Sequence, residues 1–416
     1  MANKRVNETD GGINTNYLFN LLEMGITLRT LQQVGSQRFG FILAHLLNLH
    51  ANTILVFDII YIWMNYERMD DNFSTLLFSA IAFIGINQIT LKNYSAVPFY
   101  ATFVSLVEWI EELYARRVEN EVIQKILREE LAKAFKFSKL FFEYDIEDNF
   151  PRHFAERYFL TISSFFLHRG YNVVFVIAWS LYVFDLVRRP GNNFHIYIPG
   201  LSMEEYKLVY YILQCSLYIV CGHWNVIIDT AIVIIGIHIM GFINTVNRMI
   251  QGLNDAEVKT KCPNLLVKIL IHHVEMIEQL NAFNKGLHLM SFIQFIMSTM
   301  IYLAMFYTVR SSNAELIVYS FLVCVLIQLF MLCMFGEIIS SRTDKTTTLL
   351  WLTNWYEMSL PDQKIFLIIL AISQKSFGLK AAGMYEVNIV AFIQVSYAFF
   401  LCFLSAIFDY FKKANL

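Results

Sequence analysis

Charge is scarce in this sequence of 416 residues. Asp, Glu, Lys and Arg make up 16% of it, against roughly 25% in soluble domains. Too few charged groups are present to coat a water-soluble globule of this size. The net charge of −2 removes the cationic surface that nucleic-acid binding needs. Glycine (17) and proline (6) are too rare for a collagenous or Pro/Gly-rich disordered chain. No two cysteines stand in CxxC spacing, so no zinc or dithiol motif is present. Cys215, Cys221, Cys324, Cys333 and Cys402 fall in apolar runs and read as small buried hydrophobes, while Cys262 lies in a polar loop. HExxH, GxSxG, Walker A and GxGxxG sequences are all missing. The segment His272-His273-Val274-Glu275 is not a zinc motif and reads as the solvated polar face of a helix outside the membrane. No catalytic residue, metal ligand or cofactor is expected, and the chain is not read as an enzyme. The opening MANKRVNETDGGINTNY has no charged-then-apolar leader, so the first span would act as its own insertion signal.

What the sequence does contain is oil. Hydrophobic residues are 56% of the chain and aromatics 16%. A membrane helix needs roughly 20 mostly apolar residues. Phe39–Met64, Phe73–Thr90, Leu208–Asp229, Leu287–Val309, Leu316–Phe335 and Val387–Phe408 qualify, and Tyr171–Val187 qualifies at the short end. Val97–Ile110 and Ile365–Ile372 are too short and read as helices packed on protein or at the interface. With the N-terminus inside, 25 of the 32 Lys and Arg residues fall in the inner segments, the bias expected of cytoplasmic loops. The fold class is therefore all-α: an integral membrane protein with seven transmembrane helices, a cytoplasmic N-terminus and an extracellular C-terminus. That orientation is opposite to a G-protein-coupled receptor. None of the six prolines lies inside a span, and no DRY, CWxP or NPxxY occurs.

Several helices outrun the bilayer. No proline interrupts Leu201–Lys261 or Asn264–Leu360. Glu204–Leu253 as one helix would reach about 75 Å at 1.5 Å per residue, more than twice a hydrocarbon core of about 30 Å. Leu265–Lys285 reads as the mirror extension of the next helix, with Leu266, Ile269, Leu270, Val274, Ile277 and Leu280 near one stripe. With the charged stretch Glu111–Lys139, these extensions predict a cytoplasmic helical bundle.

Ionisable residues within or beside the spans are candidate functional groups by default. They include Asp58, His223, Asp229 and Glu337, of which Asp229 and Glu337 read as structural, paired at the inner boundary. Asn72-Phe73-Ser74 is a glycosylation sequon close to the membrane. The outer halves of the helices carry aromatic residues with single polar groups: Phe83, Trp179, Ser180, Phe184, Tyr210, Tyr211, Gln214, Tyr302 and Tyr319. Walls of this kind suit a small apolar ligand. An interfacial aromatic belt has the same composition, and both readings stand at this level.

The C-terminal third carries a specific pattern. Gln328-Leu329-Phe330, Cys333, Gly336-Glu337, Ser340, Trp355-Tyr356, Gln374-Lys375, Leu379, Ala382-Gly383 and Ser396-Tyr397 occur in order. Upstream lie Ile196–Pro199, the spacing of Asp229 and His238, and a Leu270–Ser298 stretch holding His273, Gln294 and Phe295. The sequence thereby resembles the insect odorant receptor family. It departs at Ser376-Phe377, at Ala381 and in the polar tail Asp409–Leu416. The resemblance implies an odorant-gated, non-selective cation channel subunit of the sensory-neuron plasma membrane, in contact with membrane lipid. It implies a heterotetramer with the odorant receptor co-receptor and a small volatile odorant as ligand. The short fourth-to-fifth connection is unlike the co-receptor and fits the ligand-tuned subunit. The division implied is an N-terminal cytoplasmic segment (1–38), helices one to six with their extensions (39–359), a cytoplasmic half of helix seven (360–381), and its pore-lining half with the tail (382–416). Phe400 takes the gate position, with Phe403 and Leu404 one turn outward. The ligand pocket lies in the outer half, among helices two to six. A metabotropic seven-helix chemoreceptor and a gustatory-receptor-like channel are the alternative readings.

Overall fold

A computed structural model of the chain describes residues 83–92, 97–118, 120–142, 198–202, 205–311, 316–375 and 377–397, with scattered residues between 53 and 81 and Ser95. Helices dominate. They are α1 (Tyr100–Ala115), α2 (Glu121–Phe142), α3 (Lys207–Gln251), the short α4 (Ala256–Lys261), α5 (Leu265–Ser311), α6 (Leu316–Trp351) and α7 (Leu360–Ser373). A two-stranded antiparallel hairpin, β1 (Lys380–Ala381) and β2 (Tyr385–Glu386), follows α7, with Lys380 opposite Glu386. Further helical runs cover 83–92 and 389–397.

The long helices are unbroken where the sequence lacks proline. α3 has 45 residues, α5 47 and α6 36. At 1.5 Å per residue they are about 68, 70 and 54 Å long. Each therefore extends beyond a hydrocarbon core of about 30 Å. The single helix expected over Glu204–Leu253 is present with slightly tighter ends. It stops at Gly252, where a 3-10 turn leads to Asp255. The Asp255 carboxylate accepts the N–H groups of Glu257 and Val258 and starts α4. Asn264, at φ 59°, reverses the chain into α5. Ser359 caps α7, accepting the N–H of Asp362, and Pro361 occupies its first turn.

Three segments among the described residues are long and apolar enough to cross a membrane: Ile232–Asn254, Leu265–Met305 and Leu322–Trp351. The first owes its apolar character to protein rather than lipid. Ile234, Ile235, Phe242, Ile243 and Val246 are buried, whereas Leu208, Val209 and Ile212 near the start of α3 are exposed.

The core sits where α1, α2, α3, α5, α6 and α7 converge. The apolar stretch Val97–Ile110, expected as a packed helix, forms most of α1 and buries Phe103, Leu106 and Ile110. The Trp109 ring meets Phe242 of α3 edge-on at 5.3 Å. The Trp109 indole N–H donates to Glu275 of α5 at 2.8 Å, and Arg116 grips the same carboxylate with two bonds of 2.8 and 2.9 Å. Arg116 has extended backbone, so the charged stretch Glu111–Lys139 is two helices rather than one. Asn120 starts the second, accepting the N–H groups of Val122 and Ile123 while donating to the Lys261 carbonyl at the end of α4. Arg248 of α3 bonds Glu129 and Glu130 of α2 and holds the Glu129 carboxyl below the usual carboxylate range.

Two expectations about α5 are corrected. Val274 is 38% exposed, alongside exposed Val267 and Ile271, and the buried face runs through Leu266, Ile269, Met276, Leu280 and Phe283. His272 and His273 are on the buried side, not solvated, and His273 is only 1% exposed. The physical reason is that α1, α3 and α7 all pack on this helix, so its enclosed face is wider than one apolar stripe. His272 is accommodated locally: its ring stacks on Phe242 at 5.9 Å, and its Nδ1 bonds the Lys268 carbonyl at 2.8 Å.

Phe242 is nearly fully buried and touches both α1 and α5. Phe242→Ala is expected to cost about 3–5 kcal/mol. The readout is a lowered midpoint of thermal aggregation for detergent-solubilised receptor, and an unchanged midpoint would refute this core assignment.

Candidate functional site

The residues expected to line a ligand cavity fall into three groups. Trp179, Ser180 and Phe184 lie outside the described residues, as do Phe400, Phe403 and Leu404, expected at the gate, and Asp58. Tyr211 and Gln214 are placed by their backbone near the start of α3, and Tyr319 near the start of α6. Phe83, Tyr210 and Tyr302 are described in full. Tyr210 is buried beneath the loop before α3. Its hydroxyl accepts the Ile198 N–H at 3.1 Å and donates to the Leu201 carbonyl at 3.2 Å. That pins the loop to the first turn of the helix. Tyr302 is buried in α5. Its neighbours Ile301 and Met305 meet Ile81 and Ile84, so Phe83 and Tyr302 stand at one level on adjacent helices.

Below that level runs a polar seam. Lys92, at the end of the 83–92 run, is buried and ion-paired with Asp229 of α3. The Lys92 ammonium also donates to Gln294 of α5 at 3.3 Å. The Gln294 amide donates to Ser298, one turn along α5, at 3.1 Å. Gln328 of α6 donates to the second carboxylate oxygen of Asp229 at 3.3 Å. Asp229 and Glu337 both satisfy structural partners, but not each other. Glu337 instead accepts the N–H of Ile389 at 3.4 Å, at the start of the last helical run.

The end of α6 grips the C-terminal segment. Gly336 has no space for a side chain: a Cβ there would stand 1.9 Å from the Val387 carbonyl oxygen. Phe330 meets Phe392 edge-on at 5.3 Å. The division of helix seven expected at 381/382 is occupied by the hairpin, which the sequence pattern does not predict. Ala382 and Gly383 both take positive φ, 51° and 73°, to close the turn. The hairpin is bonded to α5 twice. Lys380 N–H donates to the Asn284 side chain at 2.8 Å, and Ala382 N–H donates to the His288 carbonyl at 2.9 Å. The Tyr385 ring meets Phe295 of α5 at 6.1 Å, and its hydroxyl donates to Gln394 of the last run at 2.6 Å. Val390, Ile393 and Tyr397 form an exposed stripe on that run.

Lys92, Asn284 and Tyr385 are site residues that the sequence reading missed. The signal for Lys92 was a single cation directly after an apolar run that ends at Thr90, opposite a single anion in another helix. For the other two no sequence signal existed.

A family model described as 7tm Odorant receptor matches residues 122–400. No protein of curated function matches the sequence. Among solved structures, the chain is similar to the insect olfactory receptor OR5 from Machilis hrabei in complex with eugenol. The TM-score is 0.72 at 12% identity, covering 95% of this chain and 99% of that one. A second structure of the same olfactory receptor aligns with TM-score 0.66 at 11% identity, covering 94% and 99%.

Two outcomes follow from this geometry. Gly336→Ala is expected to displace the start of the last run and sharply reduce surface expression; a normal surface level with wild-type function would contradict the contact. Tyr210→Phe keeps the ring but loses both loop bonds, at a cost of about 1 kcal/mol. It should accelerate proteolysis of the loop around Ile198 while leaving surface expression in place.

Proposed function

The chain belongs to the insect odorant receptor family and has its seven-helix membrane fold, and on that footing we propose that it is an odorant-gated cation channel subunit. The observation that carries this reading is the family match, which spans 122–400 and so takes in Asp229, Gln294 and Gln328 of the seam, the hairpin and the start of the last helix. In this reading the N-terminus is cytoplasmic, as the Lys and Arg distribution favours. The ends of α3, α5 and α6 around Leu253, Leu265 and Trp351, with α1, α2 and α7, form the cytoplasmic bundle. The receptor resides in the plasma membrane and assembles with the odorant receptor co-receptor, as its ligand-tuned partner in a heterotetramer.

The ligand is a small, volatile, apolar odorant. It occupies the outer half of the helices, where Phe83 and Tyr302 stand at one level and where Trp179, Ser180, Phe184, Tyr210, Tyr211, Gln214 and Tyr319 are placed by the sequence. Aromatic walls with few polar groups hold such a ligand by burying its apolar surface. Tyr210 contributes by holding the loop above the cavity. The last helix lines the pore, with Phe400 at the gate and Phe403 and Leu404 next to it. The exposed stripe of Val390, Ile393 and Tyr397 supports this, because an isolated subunit leaves uncovered the face that a pore or a neighbouring subunit would meet. Odorant opens the channel by binding the open conformation more tightly than the closed one. The hairpin links α5 to the last helix, so a shift of the ligand-facing helix is passed to the pore by direct bonds.

Expression with the co-receptor should produce a non-selective cation current within milliseconds of odorant application, in the presence of G-protein inhibitors. A response abolished by those inhibitors would favour a metabotropic receptor and overturn the proposal. Tyr302→Ala should shift the half-maximal odorant concentration at least tenfold with little change in surface level; an unshifted curve would remove Tyr302 from the cavity.

A further inference from the structure

The Lys92 seam is unlike the other ion pairs described above. Arg116 with Glu275, and Arg248 with Glu129 and Glu130, join neighbouring helices of the bundle. The seam joins four elements at one point: the 83–92 run, α3 through Asp229, α5 through Gln294 and α6 through Gln328. Each link spans a long stretch of sequence, so none is a local helix pair. The Lys92 side chain is 5% exposed and that of Asp229 33%. Simple cohesion between these helices could be supplied by apolar contacts, and well-packed apolar residues commonly replace such a pair without loss of stability. A charge pair does something that apolar contact does not. Half-separated charges in a partly buried site are costly, so such a pair favours being either made or broken, and a pair of this kind can give the helices it joins two discrete spacings rather than a continuum.

The position matters as much as the chemistry. Along α5, Ser298 is one turn from Gln294, and Tyr302 is one turn further, at the level of the proposed cavity. Next to Gln294, Phe295 touches Tyr385 of the hairpin, whose hydroxyl bonds Gln394 of the last run. The seam therefore lies between the cavity level and the connection to the pore helix.

We infer that the Lys92–Asp229 ion pair, with Gln294 and Gln328 bound at its two ends, is a gating latch: it positions four helices at one spacing in one of the channel's two conformations and so sets how much odorant opens it. This rests on the channel reading above. Lys92 is a positioning residue and touches no ligand.

The test uses the full receptor with its co-receptor. Lys92→Met and Asp229→Asn, made singly, strand a charge and should lower the thermal midpoint and the surface level. The neutral pair, Lys92→Met with Asp229→Asn, should recover both. At recovered surface level it should move the half-maximal odorant concentration at least fivefold. Ligand-free current should move the opposite way, because a shifted two-state equilibrium changes both together. A smaller shift overturns the latch and leaves a purely structural pair. If the neutral pair does not reach the surface, Gln328→Leu decides, since it removes one arm and leaves the ion pair intact. It should give the same paired shift at threefold or more, and less than that overturns the latch. Absence of odorant current in the wild-type complex would overturn the channel reading instead. The thermal cycle still reports on the pair in that case: losses that simply add in the double variant would show that no coupling exists and sink the latch as well.

Discussion

The interaction on which the rest depends is the enclosure of α5 by α1, α3, α6, α7 and the hairpin. A proline-free helix of 47 residues satisfies its own backbone along its whole length, which lets it pass from lipid into protein without a break. Its first half is wrapped by α1, α3 and α7, and the hairpin is bonded to its middle. Its second half carries Gln294, Ser298 and Tyr302 on one buried face. Bundle, seam and the level of the proposed cavity are thus attached to one rod. A displacement of that rod is felt at the hairpin through two backbone-anchored bonds and one ring contact.

The same burial explains the composition at several positions that otherwise look anomalous. The second half of α3 is as apolar as a membrane span, yet it is enclosed by protein. His238 survives at its centre because Nδ1 bonds the Ile234 carbonyl at 2.8 Å and Nε2 meets the Tyr114 hydroxyl at 3.1 Å. Burying a polar group costs little only when it finds a partner, as His238 does. The two residues Asp229 and His238, nine positions apart in α3, therefore have separate roles. Asp229 belongs to the seam, whereas His238 belongs to the junction of α1, α2 and α3.

The Gly336-Glu337 pair shows how a short motif acquires a physical role. The glycine permits backbone contact between α6 and the Val387 carbonyl, where any side chain would collide. The following carboxylate receives the N–H of Ile389, one of the donors that a helix start leaves without an intrahelical partner. Together they hold the beginning of the last helix against α6. The start of the proposed pore helix is therefore located by the preceding helix as well as by its own packing.

By itself, the sequence determined the medium and the class of fold, because charge scarcity, run lengths and the absence of interior prolines follow from composition and local backbone chemistry. The over-long helices were legible for the same reason, and the ordered residues from Gln328 to Tyr397 carried the family. Only the tertiary structure decided which faces of those helices are enclosed. His272 and His273 read as solvated because an apolar stripe identifies one buried side, whereas α5 is covered on more than one. The hairpin at Lys380–Glu386 was hidden because two-residue strands have no periodicity, and its bonds go to residues almost a hundred positions away. The partner of Asp229 was hidden likewise. An ion pair between single charges on separate helices is chosen by how those helices come together, and no local pattern along the chain records that choice.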